Sequence, residues 1–134
     1  MLESLQSLRR LILKDLAPVL ARGYNLSHSQ ERGIGGDDVQ VLTAPHTPLA
    51  IAVIREHGQP QILFSFTDRE VTAQAKWADI SYAPVATGVA SDPQPLESKS
   101  LQSQAKRLIE VLDALEEVAQ KDWGGASRRL DARR

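Results

Sequence analysis

Leu49-Ala50-Ile51-Ala52-Val53-Ile54, followed past the turn Glu56-His57-Gly58-Gln59 by Gln61-Ile62-Leu63-Phe64-Ser65-Phe66-Thr67, is the stretch that decides the fold. The second run alternates, which places Ile62, Phe64 and Phe66 on one face of a strand and Leu63, Ser65 and Thr67 on the other. The first run is apolar on both faces and so marks a central strand, covered on both sides or lying in an interface. Two such runs with a short turn between them predict a β-hairpin.

Working outward, Val39 and Val41 at spacing two predict a strand over residues 38–43. Tyr24, Leu26 and His28 alternate with polar residues as an edge strand would. Ala44-Pro45-His46-Thr47-Pro48 reads as a break in pairing, because proline supplies no ladder donor. On the other side, Val71, Ala73 and Ala75 alternate ahead of Trp77, and a fourth paired strand, a loop or a helical turn all fit there. Pro84, Gly88, Pro93 and Pro95 predict a surface loop up to residue 96.

Helices flank this β-region. Leu2, Leu5, Leu8, Ile12, Leu16 and Val19 recur at steps of three and four, the stripe of an N-terminal helix, and Gly23 can supply its left-handed stop. Pro18 either kinks that helix or opens a short second one capped by Asp15; the kink is preferred. Leu101, Ala105, Leu108, Leu112, Leu115 and Ala119 predict a long C-terminal helix from about Glu97 to Lys121, ended by Gly124-Gly125, with Leu108 and Leu112 in the core. The outcome is one α+β domain over residues 1–125. It has an N-terminal helix, a three- to four-stranded, mainly antiparallel meander, and a long C-terminal helix packed on the sheet. Residues 126–134 read as a disordered basic tail.

Composition limits the function classes. The 134 residues are 42% hydrophobic and only 4% aromatic, so the core rests on aliphatic side chains and offers few stacking platforms. A formal net charge of −1 gives no global attraction to nucleic acid or to anionic membrane. The chain has no cysteine, which removes disulfides, thiolate zinc sites and cysteine nucleophiles and suits a reducing, cytoplasmic setting. No apolar run approaches the ~20 residues needed to span a bilayer.

Candidate chemistry is sparse. Gly33-Ile34-Gly35-Gly36 lacks the spacing of a phosphate loop, and Asp37 and Asp38 behind it would repel a phosphate, so it reads as a hairpin turn. His28, His46 and His57 have no partner at helical spacing and read as solvated turn residues. Glu116 and Glu117 fall on the expected polar face of the last helix. No catalytic residue, metal ligand set or cofactor is assigned. A ligand pocket using His28, His57 and Asp37 is the competing reading. Trp77 and Trp123 are of a type favoured in cores and at interfaces.

The order Leu16-Ala17-Pro18-Val19-Leu20, Gly23-Tyr24-Asn25-Leu26, Val39–Leu42, Leu49–Ile54, Arg55-Glu56-His57-Gly58, Ile62–Phe66 and Trp77 resembles small bacterial α+β proteins among immunity-protein-like and uncharacterised families. The resemblance covers about Leu5 to Trp77, and the long C-terminal helix departs from it. It implies a non-enzymatic, cytoplasmic module that binds and occludes a partner protein, a toxin or effector. Asp37, Asp38, His57, Trp77 and Tyr82 are the expected partner-binding residues. A dimeric secretion-type chaperone is the alternative within the same class, and a homodimer is compatible with the apolar run Leu49–Ile54.

Overall fold

The computed structural model describes the backbone of residues 2–30, 38–56, 59–66 and 77–133, and the side chains of residues 8–26, 38–55, 60–66 and 77–133. In chain order the elements are α1 (Leu2–Asp15), α2 (Ala17–Leu20), β1 (Asn25–Gln30), β2 (Asp38–Ala44), β3 (Thr47–Glu56), β4 (Gln59–Phe66), β5 (Ala78–Asp79), a 3-10 turn (Ile80–Tyr82), α3 (Ala83–Ala86) and α4 (Leu101–Asp131). The strands form one antiparallel sheet in the order β1-β2-β3-β4-β5. This is the α+β meander between an N-terminal and a long C-terminal helix that the sequence predicts, with β5 as a short additional edge.

The deciding hairpin is in place. β3 and β4 pair from Leu49 with Phe66 to Glu56 with Gln59, and β3 lies at the centre of the sheet. Its two apolar faces go to two clusters. Leu49, Ile51 and Val53 join Leu42, Ile62, Phe64 and Phe66 under the helices, with Leu8 and Ile12 of α1, Leu16 after it, and Leu108, Leu112 and Leu115 of α4. Ala52 and Ile54 join Val39, Val41 and Leu63 on the opposite face, with Trp77 against them. A strand apolar on both sides is what a doubly covered sheet requires.

Several local expectations are corrected. Pro18 does not kink one helix: α1 closes with the Leu16 N–H on the Ile12 carbonyl at 2.8 Å, and Pro18 sits in the first turn of α2. A missing N–H costs nothing at that position, and Leu16, not Asp15, is the residue ahead of α2, with no side-chain cap. Ala44–Pro48 does not break the sheet. Pro45 and His46 form a tight turn, and Pro48 lies in a bulge where Thr43 pairs with Ala50 and Ala44 with Thr47, so its missing donor interrupts no rung. Residues 80–86 are not a surface loop, since Ile80, Ala83, Val85 and Ala86 are buried.

Nor does the last helix stop at Gly124-Gly125. Asp122 leaves helical geometry (φ −155°, ψ 47°), its carboxylate accepts the Gly125 N–H at 3.2 Å, and a further helical stretch runs to Asp131. That is an N-cap restarting a helix. The expected disordered tail is therefore helical through Asp131, with Ala126 and Leu130 buried, and Arg129 donates to the Val85 and Ala86 carbonyls at 3.3 and 2.7 Å. Among the described residues no helix is long and apolar enough to cross a membrane.

Candidate functional site

Two places gather polar groups, one near each end of the apolar stripe of α4. The first is centred on Glu116. Leu108, Leu112 and Leu115 pack on the sheet, and Glu116 follows Leu112 by one turn, so its carboxylate is carried inward and only 7% of the residue is exposed. A buried carboxylate must be paired. Arg22 donates to its Oε1 at 2.7 Å and His46 Nε2 approaches its Oε2 at 2.6 Å. Arg22 also donates to Asp113, one turn back on α4, and Gln120 one turn on donates to the His46 carbonyl at 2.8 Å. Three segments distant in sequence are thereby tied together: the α2–β1 junction, the β2–β3 turn and α4.

Gly23 makes the junction possible. Its φ of +99° is a left-handed conformation that favours glycine. Tyr24 follows it into the core, its ring edge-on to His46 with centroids 5.9 Å apart. The Tyr24 hydroxyl is buried against the Glu116 carboxylate, near enough to interact with it though not in full hydrogen-bond geometry. Burial first, then the Glu116 carboxylate, push its pKa well above the usual phenol value, and Arg22 opposes them weakly. The hydrogen bond to Asp113 likewise raises the Arg22 guanidinium. A histidine held by a carboxylate is the orienting half of a general-base arrangement. Here its neighbours are Tyr24, Glu116 and the Gly23 backbone, and the geometry is that of a clasp.

The second place is the outer edge of β4. That strand has eight residues, but β5 pairs with only Leu63 and Phe64 and then turns away at Ile80. Further along the same edge, the side-chain amide of Gln104 takes the position of a missing strand. Its Oε1 accepts the Ile62 N–H at 2.7 Å, and its Nε2 donates to the Pro60 carbonyl at 3.0 Å and to the Lys99 carbonyl at 2.9 Å. Beside it opens a cleft of about 510 Å³, lined by Pro60, Gln61, Asp79–Ser81, Pro95, Leu96, Ser98, Lys99 and Gln104. Its outer wall is the extended segment before α4, held by Gln94 N–H on the Ser81 carbonyl at 2.9 Å and by Arg107 on the Gln94 carbonyl at 3.3 Å. Ser100 then caps α4 by accepting the Ser103 N–H at 3.1 Å.

The residues expected from sequence to bind a partner do not share one patch. Asp37 and His57 lie outside the described residues, as does the side chain of His28. Asp38 opens β2, half-buried and in register with Arg55. Trp77 packs on the Val39–Leu63 cluster of one sheet face, whereas Tyr82 packs on the helix-side core. The Trp77 indole N–H is buried without a partner. Arg22, Tyr24, His46, Gln104 and Glu116 were not expected. Glu116 is corrected from a solvated to a buried position, while Glu117 beside it is exposed and pairs with Lys121 at 3.0 Å. Among the described residues no group of three or more histidines, cysteines or carboxylates is placed to hold a metal ion. No protein-family model, curated protein or solved structure matches the chain.

Proposed function

We propose that this chain is a cytoplasmic, non-enzymatic protein-binding module of the immunity or antitoxin kind, which occludes a partner protein. The observation that supports it is the outer edge of β4, where β5 covers two residues of an eight-residue strand and a cleft opens beside Pro60 and Gln61. Sheet edges with accessible backbone groups are a recurrent means of capturing a partner's chain. The polar cluster around Glu116 supports the same reading, because its charged groups satisfy one another within the fold.

The test is to capture the tagged, full-length chain from its native cell extract and to measure the mass of the eluted species by light scattering. One stoichiometric protein partner whose own activity is inhibited in the complex is the expected result. A partner carried with undiminished activity would reassign the chain as a chaperone. A homodimer or monomer without a partner would overturn the protein-binding reading.

A further inference from the structure

We propose that the cleft beside β4 is the seat for a short extended segment of the partner protein, which enters in line with β5, antiparallel to β4, and takes over the Ile62 N–H and the Pro60 carbonyl from Gln104. The proposal rests on the protein-binding reading and names its site and the chemistry of the occupant.

The register of the sheet locates the seat. Asp79 stands opposite Leu63 and Ala78 opposite Phe64. A strand continuing in that direction would place its next residues opposite Ile62, Gln61 and Pro60. The chain instead turns at Ile80 into a 3-10 helix, and the cleft lies against Pro60, Gln61, Asp79 and Ile80. The seat is thus the position the edge strand leaves empty, about three residues or ~10 Å long. Gln104 occupies its backbone-bonding groups with one donor and one acceptor, the same pair an extended peptide presents.

The walls define what fits. Ile80, Pro60 and Leu96 give an apolar floor for one side chain. Asp79 accepts from the Ser81 N–H and hydroxyl through Oδ1, and its Oδ2 makes no hydrogen bond among the described residues, so it suits a cation at the β5 end. Lys99, exposed beside Gln104, suits an anion at the other end. Pro60 offers a carbonyl but no N–H, which limits the ladder to one short register and makes the edge selective against open-ended strand addition. The occupant is therefore an extended segment with a basic residue first, β-branched residues in the middle and an acidic residue last.

The probe is the acetylated and amidated pentapeptide KVTVE, with the charge-reversed EVTVK as its control, titrated into the isotope-labelled full chain and followed by amide NMR. KVTVE should shift the Ile62 amide and the Gln104 side-chain amide saturably, and EVTVK should bind several-fold more weakly. Gln104→Ala removes the competing amide and should tighten KVTVE about five- to a hundredfold, the span of two net hydrogen bonds. Lys99→Glu changes only an exposed side chain and leaves an acidic group at each end of the seat, so it should abolish the preference between the two peptides. No shift at Ile62 with millimolar KVTVE, or equal binding of both peptides by the parent chain with Lys99→Glu without effect, would overturn the proposal. A captured partner that binds Lys99→Glu unchanged and leaves Ile62 unshifted would overturn this site alone. Capture of no partner would overturn the underlying reading instead.

Discussion

Replacing Glu116 with glutamine should destabilise the fold by about 1 kcal/mol, and the magnitude follows from the clasp. Glutamine keeps the volume and can still accept from the cationic Arg22 and reach His46, so both contacts survive without the carboxylate's charge. Charge-assisted hydrogen bonds are worth roughly 1.5–3 kcal/mol against 0.5–1.5 for neutral ones, and Arg22 keeps its own charge, so the loss over the two contacts is about 2 kcal/mol at most. Both partners are partly hydrated, however, with 38% of the Arg22 and 44% of the His46 side chain exposed. Water recovers part of what each loses, which reduces the expected loss by about half. Glu116→Ala should cost more, about 2–4 kcal/mol, because it also leaves a void and removes both contacts outright. Urea unfolding at neutral pH reads both, with an unchanged m-value showing that the same surface is exposed. The exposed neighbour Glu117→Gln is the control and should stay within about 0.5 kcal/mol. If Glu116→Gln were as stable as the parent, and a double-mutant cycle with Arg22→Met gave no coupling, the clasp would contribute nothing and the reasoning would fail.

Tyr24→Phe should change stability by less than about 1 kcal/mol at pH 7, because the hydroxyl it removes is buried against Glu116 without full hydrogen-bond geometry. The folded chain holds that phenol proton more tightly than the unfolded one, so its contribution is fully present below about pH 10 and is lost as pH rises beyond it; the slope of stability against pH there should be shallower in Tyr24→Phe. The adjacent glycines of α4 should respond with opposite signs in thermal melts. Gly124→Ala meets only the flexible Arg128 at 3.7 Å and should stabilise by up to ~1 kcal/mol, whereas a Gly125 Cβ would sit 2.7 Å from the Asp122 carboxyl carbon and displace the cap, costing about 1 kcal/mol. Leu112→Ala, at a fully buried position, should cost ~2–5 kcal/mol by urea unfolding. Gln104→Leu with Glu116→Leu should retain helix content by far-ultraviolet circular dichroism yet broaden the amide NMR spectrum; sharp, singly populated resonances would refute a register role for these two side chains.

The elements with strong internal period were legible. β3 and β4 announce themselves because apolar residues at spacing two need no partner to be recognised, and the Leu101–Ala119 stripe does the same at helical spacing. The clasp was not, because its chemistry is made by tertiary placement. Arg22 and His46 meet Glu116 across 94 and 70 residues of sequence, and a Glu-Glu pair on a helix looks the same whether one member is buried or neither. The signal that existed was phase: Glu116 stands one turn beyond Leu112, on the apolar stripe. The continuation of α4 carried a local signal too. Asp122, three residues ahead of Gly125, is an N-cap pattern, and it outweighs the expectation that two glycines end a helix. Gln104 offered none, since nothing in an isolated glutamine reports the sheet edge it will close.

The placement of α4 shows why its buried polar groups are where they are. Burial of Leu108, Leu112 and Leu115 is the larger source of stability, but apolar burial is non-directional, and a leucine stripe is nearly as well satisfied after a slide of one turn, ~5.4 Å, along the sheet. Hydrogen bonds do not permit that slide. Gln104 fits only against Ile62 and Pro60, Glu116 only between Arg22 and His46, and Arg129 only at the end of α3. The three anchors are spread from Gln104 to Arg129 along α4, on both sides of Asp122, so a shift that improved one would break the others. The leucines hold α4 on the sheet and the polar residues fix its position along it. Fixing Gln104 in this way also fixes the β4 edge in a closed state, and a chain that matches both of its hydrogen bonds to β4 can open it without leaving the Ile62 N–H unpaired.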